Sequence, residues 1–152
     1  MNAGIVALIV TPEPTLPVIL DKAIDSRVET IILATYASGT VPETILPQIR
    51  KATKALIPVF AIRQTRTDKW FTEWSDYKEE VVPGTYDAEV QAIAAGMIPL
   101  QKDLLREKEV LQIVKEVCGT HTDYELRVRH TRDRCSSPAF NNALDIVREK
   151  YC

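Results

Sequence analysis

The sequence predicts an α/β domain: a small parallel sheet of about four strands in three layers, with helices on both faces and a C-terminal strand-helix appendage. Three observations carry this reading. Gly4–Val10 (GIVALIV), Glu29–Ala34 (ETIILA) and Ile57–Ile62 (IPVFAI) are short, apolar and mostly β-branched, as strands buried on both faces are. The segments between them repeat apolar residues at helical spacing. Each crossover is long enough for a right-handed parallel βαβ unit.

The elements follow in order. Thr11-Pro12-Glu13-Pro14 breaks the first strand, Thr15 is placed to cap a helix, and Pro17 sits in its first turn, where a missing N–H costs nothing. Leu16, Ile19, Leu20, Ala23 and Ile24 line one side of that helix, which should end near Ser26-Arg27. After the second strand comes a loop, Thr35 to Thr40. Val41-Pro42-Glu43 then opens a helix with Ile45, Leu46, Ile49 and Ala52 inward, and Pro47 must occupy its first turn or kink it. Residues 63–85 are the least regular part. Their aromatics Trp70, Phe71, Trp74 and Tyr77 either pack a long loop onto the core or form a contact surface. A helix from Tyr86 stops at Gly96, Met97-Ile98-Pro99 suits a short strand, and Asp103–Cys118 is a longer helix ended by Gly119. Residues 1–119 thus form the domain and 120–152 an appendage packed on it. In the appendage, alternation of Tyr124, Leu126 and Val128 suits an edge strand, and Ser136-Ser137-Pro138 starts a last helix.

Composition narrows the function classes. The chain has 152 residues, 45% hydrophobic and 26% charged, the balance of one globular domain with one core. A formal net charge of -2 lacks the basic excess of a general nucleic-acid binder. The local basic cluster Arg127, Arg129, His130, Arg132 and Arg134 reads as a solvated edge or turn. No apolar run approaches the roughly 20 residues that cross a bilayer. The first residues lack the features of a signal peptide, so a cytoplasmic, reducing setting is expected. Cys118, Cys135 and Cys152 form no CxxC pair and have no metal-ligand spacing, so neither a metal nor another cofactor is expected.

In open parallel sheets, ligands bind beyond the carboxyl ends of the strands. Thr11–Thr15, Thr35–Thr40 and Arg63–Asp68 occupy that edge. None follows a strand with GxGxxG or GxxxxGK[ST], and there is no GxSxG elbow. Gly39 either lets backbone amides approach an anion or is an ordinary turn glycine. Ser38 has no base near it in the sequence. His121 and His130 fall in the appendage, and Cys118 lies in the last turn of a helix.

Two runs carry a family resemblance. Ile31-Ile32-Leu33 followed by Tyr36, Gly39, Val41 and Pro42 resembles the V-L-x-G-Y-G-A-G-N-V-P strand and loop in the C-terminal domain of bacterial and archaeal asparaginases, a family that includes the archaeal amidotransferase subunit. Ile57-Pro58-Val59 follows at the family's distance, and Tyr86, Ala92, Gly96, Ile98 and Pro99 match its Y-x5-A-x3-G-x-I-P run. The resemblance covers residues 4–118. It implies a four-stranded lobe that builds an intersubunit interface and lends one or two substrate contacts. The family's catalytic threonines, aspartate and lysine lie in another domain with G-T-G-G-T and T-D-T motifs, which this chain lacks. Thr40 stands where the family has Asn or Ser, so it is the carried-over substrate contact, with Tyr36, Ser38 and Gly39 around it. Ala37 and Glu89 replace family glycines.

The expectation is therefore a non-catalytic lobe, inactive alone, whose partner is a separately encoded catalytic subunit or a second copy. In such a complex the reaction would be amide hydrolysis of asparagine or glutamine. The alternatives are a module binding a small amino-acid-like ligand through Thr11, Tyr36–Thr40 and Gln64, and a structural subunit of a larger assembly.

Overall fold

A computed structural model of the chain describes residues 4–36, 39–63, 87–100 and 104–135. Its core is a four-stranded parallel sheet in the order β1 (Ile5–Ile9), β2 (Thr30–Thr35), β3 (Val59–Arg63) and β4 (Met97–Pro99). Ile31 aligns with Val6 on one side and Val59 on the other, and Phe60 aligns with Ile98. The helices are α1 (Thr15–Asp25), α2 (Leu46–Lys54, preceded by a 3-10 turn at Glu43–Ile45), α3 (Asp87–Ala94), α4 (Leu104–Cys118) and α5 (Thr122–Cys135).

The period-two alternation of β2 separates two cores. Ile31 and Leu33 pack with Leu16, Leu20, Ala23 and Ile24 of α1 and with Leu46, Ile49 and Ala52 of α2. Ile32 and Ala34 face the other way and join Phe60, Ile62 and Ile98 against Val110 and Val114 of α4 and Tyr124 and Val128 of α5. In a sheet whose neighbours are sequential, crossovers of one hand place their helices on one face. That face carries α1 and α2, so the other is left for the chain that follows β4. Next to β4, Ala92 joins the first core and Ile93 the second.

Helix punctuation follows the local chemistry. Pro47 occupies the second position of α2, inside the first turn. Gly96 and Gly119 follow α3 and α4 with φ of 113° and 83°, and the Gly119 N–H donates to the Lys115 carbonyl at 2.9 Å. Thr15, expected as a cap, is instead the first residue of α1; Pro14 precedes it and no side chain caps the helix.

The appendage requires a correction. Residues 124–130, expected as an edge strand, lie within α5. Tyr124, Val128 and Thr131, spaced four and three apart, are the buried positions, whereas Leu126 is 51% exposed. The side-chain period is helical, and the strand-like alternation ran through one exposed leucine. The helix expected from Ser136 and the aromatic stretch 70–77 lie outside the described residues.

The basic cluster is also more than a solvated edge. Arg127 Nη1 donates to the Leu56 carbonyl at 3.0 Å, and His130 Nδ1 lies 2.7 Å from Glu29 Oε1. Thr131 donates to Thr30 Oγ1 at 3.0 Å, both buried. Arg132 pairs with Glu107, donates to the Leu100 and Pro99 carbonyls at 3.0 and 3.3 Å, and lies 5.8 Å from the Phe60 ring centre. Arg129 and Arg134 do face solvent. This polar row docks α5 on the sheet and on α4.

Candidate functional site

The carboxyl edge of the sheet is where the strand-to-helix loops converge. Its most sharply defined part is the turn after β2. Thr35, fully buried, has its hydroxyl 3.2 Å from the Tyr36 carbonyl and 3.3 Å from the Ile62 carbonyl, so its proton ties β2 to β3 where the strands end. The Gly39 N–H donates to the Tyr36 carbonyl at 2.8 Å, and the Tyr36 N–H donates to the Thr40 carbonyl at 3.1 Å. Gly39 has φ of 82°, a left-handed conformation that a side chain resists, and it is buried. Buried Val41 anchors the exit, and the half-buried Tyr36 ring packs against the first core.

The structure thus brings Tyr36, Gly39 and Thr40 together in one closed turn. Ser38 and Gln64 lie outside the described residues. Thr11 is half-buried beyond β1. Of the two readings of Gly39, the turn glycine fits the geometry: its amide is spent on Tyr36 rather than aimed outward. Tyr36 and Thr40, both half-buried, are the hydroxyl-bearing residues of this turn among the described residues.

The histidines lie apart from it. His121 faces the Cys118 carbonyl through Nε2 at 2.5 Å, and since a carbonyl only accepts, that nitrogen carries the proton. The ring therefore satisfies a carbonyl at the end of α4. Cys118 is half-buried, with Sγ 4.0 Å from the Thr53 carbonyl. His130 is engaged with Glu29, at the amino end of β2. Among the described residues there is no group of three or more His, Cys, Asp or Glu placed to hold a metal.

A second concavity lies between α4 and the start of α5, a cleft of about 260 Å³ lined by Lys108, Leu111, Lys115, His121 and Tyr124. Tyr124 is 1% exposed, its hydroxyl has no hydrogen-bond partner among the described residues, and burial pushes its phenol well above the usual tyrosine range. Sequence reasoning missed this feature because it assigned Tyr124 to a strand. The signal that would have found it is the spacing of Tyr124, Val128 and Thr131.

A four-stranded parallel sheet in sequential order, covered by helices on both faces, defines a parallel α/β lobe, and solved L-asparaginase structures share this fold. The thermostable L-asparaginase from Thermococcus kodakarensis superposes with a TM-score of 0.54 at 18% sequence identity, over 85% of this chain and 35% of that one. L-asparaginase I from Vibrio cholerae superposes with a TM-score of 0.51 at 18% identity, over 84% of this chain and 35% of that one. The chain therefore spans about a third of the length of these enzymes. No protein-family model matches the sequence, and no curated protein does either. No helix among the described residues is long and apolar enough to cross a membrane.

Proposed function

We propose that the chain is the C-terminal-type lobe of an asparaginase-like architecture, non-catalytic by itself, which associates with a catalytic half or with a second copy and works in a reducing, cytoplasmic setting. In that assembly the turn Tyr36–Thr40 faces the shared site, and the Thr40 hydroxyl lends a contact to an asparagine- or glutamine-like substrate. The observation that carries this reading is the carboxyl edge itself. Its turn is closed by backbone bonds and carries Tyr36 and Thr40, while the histidines among the described residues are engaged elsewhere. The catalytic motifs of the family are absent from the sequence, and the fold corresponds to about a third of an asparaginase.

One experiment separates this reading from that of a free-standing amino-acid binder. Thermal unfolding of the chain is followed with increasing asparagine and aspartate. A lobe that needs its partner to complete the site keeps its midpoint. A binding module is stabilised, by about 2.7 kcal/mol at a hundredfold excess over Kd, and a Thr40→Val variant loses that gain. Stabilisation abolished by Thr40→Val would overturn the lobe reading.

A further inference from the structure

The two edges of the sheet are built differently. β4 is three residues long and ends in Pro99, which has no N–H to offer a further strand. β1 is five residues long, wholly apolar, and carries neither proline nor charge. Its inward bonds are set by the register. Gly4 accepts from the Glu29 N–H at 3.0 Å, and Val10 donates to the Ala34 carbonyl at 2.9 Å. Strand groups alternate in direction, so Val6 and Leu8 also face β2. The N–H and C=O groups of Ile5, Ala7 and Ile9 therefore point away from the sheet, and among the described residues no strand pairs with them. Ile9 remains 42% exposed.

We propose that this edge pairs with the same edge of a second copy, antiparallel about a two-fold axis at Ala7, so that the two sheets run on as one. The strand is its own complement. Under that axis Ala7 lies opposite Ala7 and Ile5 opposite Ile9, and each copy's three outward donors meet the partner's three outward acceptors. Charge does not oppose the fit: no side chain from Met1 to Pro12 is ionisable, so only backbone N–H and C=O dipoles of opposite sign face one another across the axis. The side chains match as well. Val6 would sit across from Leu8, and the exposed part of Ile9 would be covered by the partner's Ile5, a favourable cross-strand pair. The inference rests on the association reading above and names its partner as a second copy.

The test is the mass of the full chain in solution, from micromolar to near-millimolar concentration, for the wild type, Ala7→Pro and Ala7→Lys. The wild type is expected at twice the 17.1 kDa of one chain. Ala7→Pro removes an N–H that the fold does not use, and Ala7→Lys sets two cations across the axis. Each raises the apparent dissociation constant about tenfold or more, because every loss counts twice across the axis. Circular dichroism confirms that the variants fold. Should either fail to fold, hydrogen exchange of the wild type decides, with the Ala7 and Ile9 amides becoming protected as concentration rises. A monomer throughout, a dimer unaffected by both variants, or a monomer with those amides already protected would overturn the proposal. None of these results bears on whether the chain binds an amino acid by itself, which the ligand experiment addresses.

Discussion

Gly96→Ala will destabilise the domain by about 3–5 kcal/mol, the sum of backbone strain, overpacking and one compromised hydrogen bond. Gly96 connects α3 to β4 at φ of 113°, outside the range that L side chains adopt with ease. A Cβ there would lie 2.0 Å from Thr53 Oγ1 and 2.8 Å from Thr53 Cγ2. Thr53 has little room to retreat. It is 4% exposed, and its hydroxyl is held 2.9 Å from the Ile49 carbonyl and 2.8 Å from the Ala95 carbonyl. The substitution thus strikes the joint where α2 meets the α3–β4 connection. Urea denaturation of Gly96→Ala, Thr53→Ala and the double variant measures it. The double variant should lose less than the sum of the singles, with a coupling of about 1–3 kcal/mol, because removing Thr53 Oγ1 and Cγ2 relieves the two closest contacts but leaves the 2.9 Å contact with Thr53 Cβ and the backbone strain. Strict additivity would mean that the two residues do not meet as described.

The second large effect is expected at Arg132. Arg132→Ala removes an ion pair with Glu107, two bonds to the Leu100 and Pro99 carbonyls, and a cation over the Phe60 ring. Arg132 and Glu107 are 20% and 18% exposed, so solvent screens the pair only in part. Truncation leaves Glu107 half-buried without this cation and two carbonyls short of a donor. A loss of about 2–3 kcal/mol follows, below the value for a fully buried pair. Arg132→Lys keeps the charge but not the planar fork and should recover less than half of that loss. Arg129→Ala, on the exposed side of the same helix, serves as the control and should change stability by under about 0.5 kcal/mol. Melting curves of the three variants test the order. Equal losses at Arg129 and Arg132 would show that α5 is not docked through this row.

The strands were legible because burial on both faces leaves uninterrupted apolar runs, and three such runs stand out around α1 and α2. Both glycine stops and the first-turn position of Pro47 were legible for the same local reason: backbone geometry restricts which residues fit. The appendage was not. Over Tyr124–Val128 the apolar residues alternate, and only tertiary packing, with Leu126 exposed and Thr131 buried, decides for a helix. The docking role of Arg132 was hidden because its partners Pro99, Leu100 and Glu107 are distant in sequence. At the candidate site, the loop and its hydroxyls were legible from their place after β2. That the Gly39 amide is consumed inside the turn is a matter of three-dimensional closure that composition does not encode.

The proposed function requires that this lobe carry no amide-hydrolysing chemistry of its own. Ammonia release from asparagine and from glutamine, measured on the purified chain alone beside an equimolar intact asparaginase, tests it most directly. Release at the rate of the buffer blank is expected. Turnover that follows the chain through purification and scales with its concentration would contradict it.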